Sequence, residues 1–159
     1  FASDPLREWG RKQFIDLAKR LNEVSKCTVV FVGTKNEIDT IRTTVSSQIP
    51  RGVLYNGSVR KTLGIINAAN LLIGGDSVYA HASAALNTPT IVNQGPLWKP
   101  YLGVSWDQDL LDSKKNISIL HKELSCRDLL NTSCGSCSDK SCFEFSVDEV
   151  LAKALKVLN

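Results

Sequence analysis

The sequence lacks several features that would assign it to a common functional class. It has no methionine and only two histidines, His81 and His121. No apolar segment approaches the roughly 20 residues that a membrane-spanning helix requires, and no signal peptide is visible at the start. The motifs of serine hydrolases (G-x-S-x-G), zinc proteases (H-E-x-x-H) and P-loop proteins are all missing. These absences leave hydrolytic and membrane-embedded functions without support.

The charge of the chain is also modest. Lys and Arg number 19 against 16 Asp and Glu, which gives a formal net charge of +3, and no basic run is interleaved with aromatic residues. The sequence therefore predicts no nucleic-acid partner, with a basic surface facing an anionic membrane as an alternative. At 159 residues with 43% hydrophobic content, the chain is long enough for one domain with a sizeable core.

Short apolar runs alternate with amphipathic stretches along the chain. This alternation predicts an α/β fold, a Rossmann-like parallel sheet flanked by helices. The run at 27–32 is continuous in β-branched and aromatic residues, which predicts a strand buried on both faces. Strands are predicted at residues 27–32, 53–55, 71–73, 90–92 and 117–120, and helices at 12–24, 36–45, 62–69, 79–86 and 147–158.

The segment 71–96 predicts a strand, a sharp turn, a short helix and a second strand. The first strand ends in Gly74 and Gly75, and Asp76 and Ser77 follow, both of them residue types that cap helices. This order places a helix N-terminus, with its unbonded N–H groups and positive dipole end, at the carboxyl edge of a parallel sheet. Open α/β sheets bind ligands at that edge, so the segment predicts an anion site.

The same segment resembles the donor-site signature of the heptosyltransferase-like glycosyltransferases (family 9 type), which build the lipopolysaccharide core. That signature is roughly D-[ST]-G-x-x-H-x-A-x-A-x-x-x-P-T, and residues 76–90 read D-S-V-Y-A-H-A-S-A-A-L-N-T-P-T. The aspartate, serine, histidine, proline and threonine stand in register. Val78 departs from the family's glycine, and a Cβ there would crowd a phosphate.

The resemblance extends over nearly the whole chain and implies the C-terminal half of a GT-B fold. Residues 1–159 are then expected to form a single nucleotide-sugar-binding domain. The chain opens on Phe1 instead of a methionine, and we interpret it as one half of a larger enzyme whose N-terminal acceptor domain is absent. The other matching segments are residues 7–10, 14–21, 30–33 with Glu37, 57–63 and 146–150.

The resemblance implies a donor site at the carboxyl edge of the sheet. The Ser77 hydroxyl and the helix amides would hold the diphosphate, and Arg7 would replace the family's lysine near the phosphates. Asp76 would shape the turn or bond to the sugar, and His81 would contact a phosphate or the sugar. The implied donor-binding residues are Arg7, Gly33, Thr34, Glu37, Asp76, Ser77, Val78 and His81.

Each of these assignments has a plain structural alternative. Asp76 and Ser77 can be an ordinary helix cap, and His81 can be a packed histidine bonded to the backbone. Gly33 and Thr34 end a strand where a base or ribose could lie, but a glycine there is weak evidence. Glu37 would bond a ribose hydroxyl by analogy with the family, or would simply begin an exposed helix.

Four of the five cysteines fall in a compact polar segment, residues 126–142. Cys126, Cys134, Cys137 and Cys142 have the spacing C-x7-C-x2-C-x4-C, and C-x2-C is a common zinc half-site. The other half is irregular, so a structural zinc, free thiols and disulfides are all open, although a cytoplasmic protein would keep its thiols reduced.

The leading hypothesis is half of a glycosyltransferase that moves a heptose from a nucleotide-diphosphate sugar, ADP-heptose, to a lipopolysaccharide core acceptor. The resemblance implies a metal-independent inverting reaction that needs no cofactor. The acceptor site and catalytic base would lie in the absent half, so this chain has no catalytic residue and is expected to be inactive alone. It would be cytoplasmic, or peripheral to the inner-membrane surface. The alternatives are a degenerate GT-B-like binding module, favoured by Val78, and a nucleotide-sugar epimerase of the same architecture.

Overall fold

A computed structural model of the chain describes residues 9–75, 77–93, 117–120 and 141–159. Helices and strands alternate through this part of the chain, as the sequence predicts. None of the helices among these residues could span a membrane. The elements in chain order are α1 (Arg11–Val24), β1 (Val29–Val32), α2 (Lys35–Gln48), β2 (Gly52–Tyr55), α3 (Val59–Ala68), β3 (Leu72–Gly75), α4 (Val78–Ala85), β4 (Thr90–Asn93), β5 (Ile117–Leu120), a short 3-10 helix (Ser141–Phe143) and α5 (Val147–Leu158).

The described strands pair in parallel and form two ladders. β1 pairs with β2, while β4 lies between β3 and β5. The carboxyl ends of β3 and β4 meet in register at Gly75 and Asn93. Helices flank both ladders, which confirms the predicted α/β class with a Rossmann-like arrangement of parallel strands.

Two apolar clusters form the core, and they share a strand residue. The larger cluster lies between α1, α5 and the strands β4 and β5, and the smaller one packs α2 against α1. Val29 of β1 contacts both clusters, so the two ladders are joined through one continuous core. Trp9 is buried in the larger cluster, where its indole N–H donates to the Phe145 carbonyl oxygen at 2.9 Å.

The expectation that the run at 27–32 is buried on both faces is wrong. The strand begins only at Val29, because Lys26 adopts a positive φ of 52° and turns the chain. Val30 and Val53 lie opposite each other in the β1–β2 ladder and are 37% and 46% exposed. Helices α1 and α2 cover the face that carries Val29 and Phe31, and the opposite face stays partly open to solvent.

Helix α3 begins at Val59, three residues earlier than the sequence predicts. Ser58 has an extended backbone, and its hydroxyl accepts the N–H of Lys61 at 3.4 Å. A serine in this position satisfies one of the N–H groups that a helix start leaves unbonded. The signal was present in the sequence as a capping residue, and the apolar spacing alone did not reveal it.

Candidate functional site

The strand, helix and second strand predicted within 71–96 are present in the structure. β3 ends at Gly75, β4 ends beside it at Asn93, and α4 begins at Val78. Asp76 lies outside the described residues, so its predicted role stays a prediction. The carboxyl edge of the β3–β4 pair therefore lies where the helix starts, which is the placement that an anion site at this edge requires.

Ser77 occupies the N-cap position of α4 without acting as a side-chain cap. Its backbone is extended (φ −153°, ψ 165°) and its carbonyl oxygen accepts the N–H of Ala80 at 3.0 Å, but its hydroxyl makes no capping hydrogen bond. The plain capping role considered for this serine is therefore not realised. The Ser77 hydroxyl therefore accepts no hydrogen bond from the N–H groups of the first turn. The hydroxyl and these N–H groups are all chemically suited to bind an anion.

Two further predicted site residues lie on α4. His81 is half-buried one turn after Ser77, and its backbone N–H donates to the Ser77 carbonyl oxygen at 3.2 Å. Val78 is the first helical residue and is 71% exposed. This large exposure shows that the valine does not serve core packing, and that its side chain projects from the helix start into solvent.

Gly33, Thr34 and Glu37 lie together where β1 passes into α2. Thr34 and Glu37 form a capping box: the Glu37 carboxylate accepts the Thr34 backbone N–H and hydroxyl, both at 2.7 Å, and the Thr34 hydroxyl oxygen accepts the Glu37 N–H at 3.4 Å. This capping motif is sufficient to explain why a threonine and a glutamate occur at the start of α2. Their predicted contacts with a base or ribose stay predictions.

The environment of the Glu37 carboxyl favours its charged form. Burial raises its pKa and the hydrogen bonds donated by Thr34 lower it, and the pKa lies below its ordinary value. Gly33 allows this arrangement, because a Cβ on Gly33 would lie only 3.1 Å from Glu37 Oε2. The absence of a side chain on Gly33 therefore eases the close approach of the capping carboxylate.

Two polar groups at strand ends were missed by the sequence reasoning. Asn93, the last residue of β4, is fully buried, and neither of its amide atoms has a hydrogen-bond partner within the described residues. The Tyr55 hydroxyl at the end of β2 is likewise buried without a partner there. The available signal for Asn93 in the sequence was an amide side chain at the end of the strand T-I-V-N, whose other residues are all β-branched.

Of the remaining candidate residues, only Cys142 lies within the described part of the chain. Arg7, Cys126, Cys134 and Cys137 lie outside the described residues. Cys142 is half-buried in the short 3-10 helix and packs against the larger apolar cluster. Over the part of the chain that is described, no three His, Cys, Asp or Glu side chains are grouped so that they could hold a metal ion. The zinc hypothesis for residues 126–142 stays a prediction.

Comparison with known protein families establishes the family membership of the chain. The model of glycosyltransferase family 9 (heptosyltransferase) matches residues 1–96, which is more than half of the chain. The chain belongs to glycosyltransferase family 9. All eight implied donor-binding residues fall within the matched range, and the cysteine-rich segment falls outside it. No curated protein matched.

Solved structures of family 9 share the fold of this chain. A glycosyltransferase family 9 protein from Veillonella parvula DSM 2008 has a TM-score of 0.70 at 17% identity, over 99% of this chain and 44% of that chain. The E. coli ADP-heptose lps heptosyltransferase II has a TM-score of 0.71 at 16% identity, over 98% of this chain and 43% of that one.

A third structure shows the same relation. It is an E. coli heptosyltransferase with ADP-2-deoxy-2-fluoro heptose, with a TM-score of 0.68 at 14% identity, over 98% of this chain and 41% of that chain. The chain therefore spans less than half the length of each of these three proteins. At such identities the likeness supports the fold, and activity has to be argued from the site.

Proposed function

We propose that this chain is the nucleotide-sugar-binding half of a family 9 glycosyltransferase that moves a heptose from ADP-heptose to a lipopolysaccharide core acceptor. The observation that carries the proposal is the start of α4. It lies at the carboxyl edge of a parallel β3–β4 pair, inside the segment that matches the family, and the Ser77 hydroxyl makes no capping bond. ADP-heptose is the first donor to test because two of the similar proteins carry ADP-linked heptose in their names.

The chemistry of this site suits a diphosphate leaving group. When the bond between the anomeric carbon and the diphosphate breaks, negative charge grows on the departing phosphate oxygens. N–H groups at a helix start, with the positive end of the helix dipole, stabilise that charge without having to reorganise. In this proposal Ser77 and His81 add side-chain donors and Arg7 adds a cation, so departure requires no metal ion or cofactor.

The proposed partners follow from the half of the enzyme that this chain represents. The acceptor and the general base belong to a second domain, so the chain binds donor and transfers nothing by itself. The acceptor is a lipopolysaccharide core intermediate, which places the enzyme in the cytoplasm at the inner-membrane surface. A nucleic-acid partner has no place in the proposal.

A pair of serine variants tests the donor site by calorimetric titration with ADP, ADP-heptose and UDP-glucose. Ser77→Ala removes a hydroxyl that makes no cap bond, so we expect unchanged stability and affinity for ADP-heptose lowered by roughly tenfold. Ser58→Ala is the matched control, because Ser58 caps α3. It should lose about 1 kcal/mol of stability and keep its affinity. Loss of affinity in the Ser58 variant, or unchanged affinity in the Ser77 variant, would contradict the proposal.

A degenerate binding module is the second candidate, and Val78 is the observation that favours it. Its branched side chain stands 71% exposed at the first residue of α4, where a phosphate would approach the helix amides. If the wild type gives no heat with any nucleotide sugar while Val78→Gly binds ADP-heptose, the valine has closed an inherited donor site. If both bind, the transferase assignment stands.

A further inference from the structure

The last residue of β4 holds a polar group that the fold does not satisfy. Asn93 is 0% exposed, and no described residue offers a hydrogen-bond partner to its amide nitrogen or oxygen. A buried amide without partners costs free energy that an apolar side chain of similar size would not. Retaining an asparagine here therefore lowers the stability of the fold.

Most other buried polar groups among the described residues are satisfied, the Tyr55 hydroxyl being the exception. Four buried hydroxyls each have partners at distances between 2.7 and 3.2 Å. Unsatisfied buried groups are uncommon in native proteins, and each calls for a reason such as an ordered water, an ion or a functional contact. The four satisfied hydroxyls belong to Thr62, Ser83, Thr88 and Thr90.

Strand register places Asn93 beside the start of the candidate site. It lies opposite Gly75 on β3 and Leu120 on β5, at the carboxyl edge where β3 ends. Side chains alternate along a strand, so Asn93 faces the same side as Ile91, toward the cluster that includes α1 and α5. Gly75 has no side chain, so β3 offers no side-chain hydrogen-bond partner beside the amide.

We propose that Asn93 is a further donor-binding residue: its amide N–H donates a hydrogen bond to an oxygen of the diphosphate or of the sugar next to it. This inference rests on the proposed function and deepens it. An amide offers both N–H donors and a carbonyl acceptor, and a bond to a charged phosphate oxygen is stronger than one between neutral groups. Because Asn93 is sealed from solvent, the donor has to displace covering atoms, and the bond then forms where water does not compete.

The variant Asn93→Leu tests this inference, since leucine has nearly the same size and shape without the polar atoms. We expect its unfolding midpoint to rise, because the unsatisfied amide is gone, and its affinity for ADP-heptose to fall by roughly 10- to 100-fold. Asn93→Val serves the same purpose should the leucine prevent folding. The matched control is Thr88→Val just before the same strand, whose buried hydroxyl donates to the Ile66 carbonyl oxygen, away from the carboxyl edge. That variant should lose stability and keep its affinity.

Titrations with ADP and with ADP-heptose locate the contact. Loss on both ligands assigns the bond to the diphosphate, and loss on ADP-heptose alone assigns it to the sugar, and either result supports the inference. Unchanged affinity of the Asn93 variants, with normal binding by the wild type, would overturn this inference alone. A wild type that binds neither ligand would overturn the proposed function, and this inference with it.

Discussion

At the scale of single residues, helix-start chemistry and candidate ligand chemistry use the same residue types. Thr34 caps α2 with its hydroxyl, whereas Ser77 occupies the equivalent position of α4 and makes no such bond. Threonine and serine are both capping residue types, but the sequence cannot show whether the hydroxyl is used, because that depends on the side-chain rotamer in the folded chain. The difference separates a structural hydroxyl from one suited to a ligand.

The Glu37 carboxylate provides a pH test of the capping box. Its folded pKa is lowered, so its contribution to stability is fully present above its unfolded pKa of about 4.3 and is lost as the pH falls through the lower folded pKa. We expect Glu37→Gln to be less stable than the wild type at pH 7, with the gap closing in strongly acidic solution. Urea unfolding at several pH values measures this gap. The same substitution in a Thr34→Ala background should have a smaller effect, because only the backbone N–H of residue 34 then donates to the carboxylate. A gap that did not depend on pH would refute the assignment.

Residue-scale prediction from the sequence succeeded where the signal was local. The family signature at 76–90 could be read directly from the chain. The unsatisfied amide of Asn93 could not, since it depends on what β3, β5 and the facing helices leave around it. The exposure of Val78 was equally hidden, because the position of a helix start relative to solvent follows from tertiary packing.

At the scale of elements, a buried polar contact joins α4 to β4. The Ser83 and Thr90 hydroxyls lie 2.7 Å apart, and Thr90 also donates to the Thr88 carbonyl oxygen at 2.8 Å. α4 is short and rich in alanine, so its side chains offer little apolar area for packing against the sheet. The hydroxyl pair therefore fixes the helix whose start forms the candidate site.

A double-mutant cycle measures this contact between α4 and β4. Ser83→Ala and Thr90→Val should each destabilise the fold by about 1 kcal/mol, because each removes a buried hydrogen bond. The double variant should lose less than the sum, with a coupling of roughly 0.5–1.5 kcal/mol, since both changes remove the same contact. Chemical denaturation supplies the four free energies, and strictly additive losses would show that the two hydroxyls act independently.

Element boundaries show why periodicity predicts helices better than their starts. The apolar stripe of α1 and that of the terminal helix matched the structure to within a residue. α3 was placed three residues late because Ser58 sets its start, and β1 was placed two residues early because Lys26 turns the chain there. Both corrections come from backbone geometry outside the repeating pattern.

At the scale of the whole molecule, one core supports both ladders. Val29 contacts both apolar clusters, and α1 contributes Leu17 to one and Ala18 to the other. The sequence predicts the α/β class, and in the folded chain this shared core joins the two ladders. How the two clusters join could not be predicted, because which residues of α1 face each cluster depends on how the other helices pack against α1.

A matched pair of core variants tests whether the fold is a single cooperative unit. Leu17→Ala in the larger cluster and Ile41→Ala in the smaller one should each cost about 2–5 kcal/mol, because each leaves a cavity among buried neighbours. Both should shift one unfolding transition without changing its denaturant slope. Two separate transitions, or a variant that melts only half of the circular dichroism signal, would show that the clusters unfold independently.

The central position of β4 has a consequence for deuterium labelling. All four of its residues are buried and it is paired on both sides, so its amide protons should exchange only when the entire chain unfolds. The first turn of α4 should exchange far faster. A bound donor would then slow deuterium uptake in α4 first. The exchange rate of the β4 amides would report the rate of global unfolding in the same experiment.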